Sequence, residues 1–242
     1  MKEFSYDEYQ SLLVTLLKKY RVIPFPKMLQ FHNEVHPETL RAVAVIRHDV
    51  DLDLARAVKL AQIEAECNVS ATYCIMVTSD AYNILSEESQ KHIQALVDLG
   101  HDIGLHFSPL DYGLKGLKSQ LRNDARVLES RLGPKLEENI EVVSHHNYGK
   151  LPVGFKVSSA LIDTYEEPFM SHVKYFADSY GAWRFGHPLE SDAFKSSMPL
   201  HLNFHPFWWG SDAKSQLLAL LEFTKERDGM LKWYIAKNCL GF

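Results

Sequence analysis

Short apolar runs alternate with amphipathic stretches along most of this chain. Residues 42–46 form an apolar run that includes Val43, Val45 and Ile46, and this predicts a buried strand. Further strands are predicted over 69–77, 101–106, 141–144, 174–177 and 200–204. Between them, apolar residues at helical spacing predict helices over 54–67, 87–99 and 114–132. Asp53 and Ser86 are suitable N-caps, and Gly100 and Gly133-Pro134 are suitable stops. Near the start, Ser5 and Glu8 make a capping-box pattern ahead of Tyr9, Leu12, Leu13, Leu16 and Leu17. Pro24 and Pro26 break that pattern, and 31–37 reads as loop. Residues 149–167 read as irregular, and 211–223 as a closing helix that the last residues extend or frame.

The strand–helix–strand alternation argues for an α/β fold of parallel strands joined by crossover helices. At 242 residues, 46% of them hydrophobic, the chain suits one large globular domain over 1–242, with the helix and loop of 1–40 packed on it. The formal charge of -5 is mild and the basic residues are scattered, so no nucleic-acid footprint is present. The first residues lack the apolar stretch of a signal peptide, and no run reaches transmembrane length. Cys67, Cys74 and Cys239 are far apart and form no CxxC, as expected of reduced thiols in a cytoplasmic protein.

Chemistry enters with Arg47-His48-Asp49-Val50-Asp51, directly after the first strand run. Alternation along a strand points Asp49 and Asp51 the same way. Two such carboxylates repel unless a cation lies between them or one holds a proton. The alternative is a solvated strand end with one Asp capping the next helix. The later strands end at His106, His145/His146, Asp178 and His205. In a barrel of parallel strands those ends gather on one face. Mixed Asp and His ligands suit Zn²⁺ or another first-row divalent ion. With a free carboxylate to accept a proton and a His to donate one, that set can hydrolyse an amide or ester. Tyr148, Tyr180, Trp183, Trp208 and Trp209 lie next to these ends, either as walls for a sugar ring or as core.

The chain resembles the polysaccharide deacetylases of carbohydrate esterase family four. The resemblance runs from about Val45 to Trp209. It rests on Arg47–Asp51, Ala71-Thr72-Tyr73, the run Gly100 to His106, Asp178-Ser179 with Trp183, and the His205–Trp209 segment. It is similar to a subgroup with Asp-x-Asp in place of an adjacent Asp pair. The resemblance implies a distorted parallel (β/α) barrel of about seven strands and a metal-dependent deacetylase. By the same resemblance Asp49 is the base, Asp51 and His106 are metal ligands, His205 is the general acid, Asp178 orients it, and Trp183 lines the pocket.

The family's second ligand His would fall at Leu110. The replacement candidate is His146, with Asp111 a weaker one. The family's arginine motif is not obvious, and Arg184 is the candidate for its charge. Tyr148, Trp183, Arg184 and Trp208 complete the expected substrate contacts. The implied reaction is removal of an acetyl group from an N-acetylated sugar, a surface-glycan precursor in a cytoplasmic setting, with a divalent metal, Zn²⁺ foremost. The alternatives are hydrolysis of another amide C–N bond, or a non-catalytic carbohydrate-binding protein, which the loss at Leu110 motivates.

Overall fold

Strand β2 (Val43–Val50) is buried along its whole length, and its two faces serve different layers. The computed structural model describes residues 3–34, 41–109, 116–132, 140–147, 161–211 and 215–239. Ala44, Ile46 and Val50 face outward into the main apolar core, shared with helices α1 (Tyr6–Leu17) and α3 (Leu54–Glu66). Val43 and Val45 face the other way, into an apolar floor with Phe25, Met28, Val142, Phe169 and Val173. Above that floor the same inner face carries Arg47 and Asp49, so it turns from apolar to charged toward the strand's C-terminal end.

Among the described residues all strand pairings are parallel. The order is β6 (Ile162–Asp163), β5 (Val142–His145), β4 (Asp102–Phe107), β3 (Thr72–Ile75), β2, β8 (Leu200–Phe204) and β7 (Lys174–Ala177). A two-residue strand, β1 (Arg21–Val22), pairs with the start of β2, below the stretch that pairs with β3. Right-handed twist curls such a sheet, giving the distorted parallel (β/α) barrel that the sequence led us to expect. Among the described residues β6 and β7 share no backbone pairing, and side chains close the gap. Tyr165, just past β6, and Tyr175 in β7 bring their rings to 6.4 Å. Arg47 reaches across to the Thr164 hydroxyl and the Tyr165 hydroxyl.

The helices follow local signals. Ser5 Oγ accepts from the Glu8 backbone N–H and starts α1, while Asp53 accepts from the Ala55 and Arg56 N–H groups and starts α3. Ser86 does the same for α4 (Glu87–Asp98). Helix α5 (Leu117–Glu129) falls inside the expected span, whose first residues lie outside the described set.

Three expectations are corrected. Residues 25–34 form a helix, α2 (Phe25–Glu34), where part had been read as loop. Pro26 lies in its first turn, where a missing N–H costs no hydrogen bond. The stretch read as irregular holds β6 and the start of the short helix α6 (Glu167–Met170). The strand read as ending at Ile46 continues to Val50, because partners on both sides and a polar interior satisfy its charged residues. A short helix α7 (Asp192–Lys195) precedes β8, and the closing helix α8 (Gln216–Cys239) runs well past Phe223. No helix among the described residues is long and apolar enough to cross a membrane.

One buried polar network lies on the outer face of β2. Glu64 of α3 accepts hydrogen bonds from the Tyr9 hydroxyl at 2.5 Å, the Tyr73 hydroxyl at 2.6 Å and His48 Nε2 at 2.8 Å. Burial opposes ionisation of Glu64, but His48, His101 and the Tyr73 hydroxyl hold its carboxyl below the usual range. The ionised acceptor requires the proton of His48 on Nε2. This network fastens α1 and α3 to the sheet directly behind the site.

Candidate metal centre

His106 sits between the two carboxylates of the opening motif. Its Nε2 lies 3.1 Å from Asp51 Oδ1, and its Nδ1 lies 3.6 Å from Asp49 Oδ1. His146 follows β5, two residues after Ser144, and its Nδ1 lies 3.3 Å from Asp51 Oδ1 and 3.3 Å from His106 Nε2. Asp51 Oδ1, His106 Nε2 and His146 Nδ1 thus form a nearly equilateral triangle. Ligands about 2.0–2.1 Å from a tetrahedral ion stand about 3.3 Å apart. The donor set and its spacing therefore fit a small divalent ion with three protein ligands and an open position. Among the described residues no other group of three such side chains converges in this way. Burial works against ionisation of Asp51, but the imidazoles of His106 and His146 beside it hold its carboxyl well below the usual range.

Asp49 is buried one layer deeper. Its Oδ1 accepts from the Ser144 hydroxyl at 2.9 Å, and its Oδ2 from Arg47 at 3.1 Å and Asn203 at 3.0 Å. Burial raises its pKa, but Arg47 foremost, then His106 and His205, bring it down to about 2. The three donors take three of the roughly four lone-pair sites of a carboxylate, leaving one on Oδ1, the oxygen nearest His106.

His205 follows β8 and is fixed by Asp178, which follows β7. The buried Asp178 carboxylate accepts from His205 Nδ1 at 2.6 Å and from the His205 backbone N–H at 2.9 Å. Trp209 Nε1 donates to its other oxygen at 2.7 Å. Burial opposes protonation of His205, but the Asp178 hydrogen bond and charge, with Asp51 and Asp49 behind them, push its pKa up to about 9. At neutral pH it is an imidazolium that can give up a proton.

The aromatic residues divide. Trp209 is fully buried. Trp183 is half-buried, stacked near Phe4 and edge-on to Phe204 and Trp209. Trp208 packs on Phe207 and under Gly181, where an added Cβ would lie 3.1 Å from its ring. Arg184 is exposed and lies over the Tyr180 ring at 4.5 Å, so the cation beside Asp49 is Arg47 and not Arg184. Leu110, Asp111 and Tyr148 lie outside the described residues.

Arg47, Ser144 and Asn203 were missed as site residues, yet each stands two positions before one that was found: Asp49, His146 and His205. Strand parity was the available signal. Nothing comparable marked Thr164, Tyr165 or Tyr175, whose place depends on how the sheet edges meet.

The chain is similar to solved family 4 carbohydrate esterases. A Streptococcus pyogenes deacetylase in complex with acetate shares 12% identity at a TM-score of 0.45, over 90% of this chain and 85% of that chain. A Bacillus anthracis family 4 carbohydrate esterase shares 16% at 0.41, over 77% and 76%. A Clostridium thermocellum family 4 acetyl xylan esterase, in complex with a cobalt ion, shares 11% at 0.42, over 76% and 84%. No family model and no curated protein matches the chain.

Proposed function

We propose that this protein is a metal-dependent hydrolase that removes an acetyl group from an N-acetylated sugar. The observation that carries this reading is the triangle of Asp51, His106 and His146 beside an imidazolium held by Asp178. Asp51, His106 and His146 would hold the ion, Zn²⁺ by the chemistry of the donor set. When bound, it would polarise the acyl carbonyl as a Lewis acid.

The remaining work belongs to the chain's own residues. Asp49 stays ionised at neutral pH, and its free Oδ1 site accepts the proton of the attacking water. The Asp49 charge lies 3.6 Å from His106 Nδ1, and by electrostatics alone it favours the proton on that nitrogen, which leaves Nε2 bare. His205 donates its Nε2 proton to the departing amine, while Asp178 keeps Nδ1 protonated and the ring fixed. A cavity of about 580 Å³ lies along the segment after β3, and one of its lining residues, Ser79, donates to the backbone carbonyl of Asp51. It offers room for the rest of a glycan precursor, such as a nucleotide- or lipid-linked sugar.

The test is acetate release from N-acetylated sugar precursors by metal-loaded protein, with chelated protein and Asp49→Asn as comparisons. Loss of activity in both is expected. Turnover unaffected by either would overturn the reading.

A further inference from the structure

In the described structure the far half of α8 meets the body only loosely, with Arg227 and Met230 across a cavity from the segment after β3. Ala219 and Phe223 pack against Phe207, and from Asp228 onward nearly every residue is exposed. Yet this helix carries large apolar side chains on more than the face that meets the body. At about 100° per residue, Leu217, Leu221, Thr224, Asp228, Leu231 and Ile235 form one straight stripe turned away from Ala219 and Phe223. Every position in it is exposed; Leu217 is 66%, Leu221 55%, Leu231 58% and Ile235 41% accessible. Leaving four such side chains in water forgoes the stabilisation that their burial would bring.

The order of residues in the stripe points to the occupant. Its spacing runs four, three, four, three, four, the repeat of an antiparallel or parallel helix pair. Read from either end about Glu226, it gives apolar, apolar, polar, polar, apolar, apolar. A two-fold interface demands this self-complementarity, since residue i must meet j and j must meet i. We infer that α8 is a homodimerisation helix, packing antiparallel against α8 of a second copy of this chain. The dyad at Glu226 sets Leu217 opposite Ile235, Leu221 opposite Leu231 and Thr224 opposite Asp228 of the second copy. Within each helix the Thr224 hydroxyl donates to the Leu220 carbonyl and Asp228 pairs with Lys232, so the polar centre is satisfied on each copy, and Lys225 of the second copy adds a cation beside Asp228 that fixes register and direction. A parallel pair would instead set Asp228 against Asp228, which repel.

Analytical ultracentrifugation of the full chain and of Leu221→Glu, Leu231→Lys and the double variant tests this. The wild type should sediment as a dimer, and each single variant should lose half its mass. The double variant should regain the dimer, because each Glu then faces a Lys of the other copy. A monomeric wild type, a single variant that stays dimeric, or a double variant that does not recover overturns the assignment. Co-sedimentation of a monomeric wild type with anionic vesicles would instead give the face, with exposed Trp233 and Tyr234 beside Lys232 and Lys237, to a lipid surface.

Discussion

The Asp178 carboxylate holds His205 twice, through the side-chain Nδ1 at 2.6 Å and through the backbone N–H at 2.9 Å. The pair spans two adjacent strands, so the charge that raises the His205 pKa also sets where its ring stands.

A pH dependence follows. In metal-free protein the His205 imidazole should titrate near pH 9, followed by NMR, and lower than that in Asp178→Asn, where the largest upward cause is gone. His205 has its folded pKa above its unfolded one, so this pair's stabilisation is fully present below about pH 6.5 and disappears as pH rises through about 9. The melting-temperature gap between wild type and Asp178→Asn should therefore narrow over that window. A gap that stays constant would remove His205 as its source.

Metal binding should separate ligands from their supports. Calorimetry with Zn²⁺ should give one ion per chain, with binding abolished in His106→Ala, His146→Ala and Asp51→Ala. Asp49→Asn, which touches His106 only from behind, should weaken affinity by about 10–100-fold and leave the stoichiometry intact. Equal losses at Asp49 and Asp51 would mean that both coordinate.

Arg47 and Asp49 form a fully buried ion pair, so breaking it from one side should be severe. Arg47→Met leaves the Asp49 carboxylate with two neutral donors and should cost about 3–5 kcal/mol in urea unfolding. Arg47→Met combined with Asp49→Asn should cost less than the single change, because no uncompensated charge remains. Additive losses would show that the pair is not coupled.

Glu64 should matter to stability and not to the metal. Glu64→Ala strands the donors of Tyr9, Tyr73 and His48 in the core and should cost about 3 kcal/mol or more. Zn²⁺ affinity should be unchanged, since the network lies on the outer face of β2 while the ligands lie on the inner one. A variant that binds metal poorly at full stability would reverse this division.

Much of the site was legible in the chain because strand ends are local features. Asp49, Asp51, His106, His146, Asp178 and His205 each follow or end an apolar run, and parallel topology carries such ends to one face. The reading failed where local rules were read too narrowly. Pro26 was taken as a breaker when the first helical turn tolerates it, and the strand before Asp49 was ended at its first charge. Arg47 was passed over because a buried guanidinium inside a strand has no signature apart from the parity it shares with Asp49.

The sequence by itself determined which residues share a face on each strand, because alternation is a property of the backbone alone. Only the tertiary structure decided what those residues meet. Tyr165 and Tyr175 come from opposite ends of the strand order and converge on Arg47 and Asn203 because the sheet twists until its edges approach. In the same way Asp51, His106 and His146 become one triangle only when β2, β4 and β5 lie in register across the sheet, with β3 between the strands that lead to Asp51 and His106.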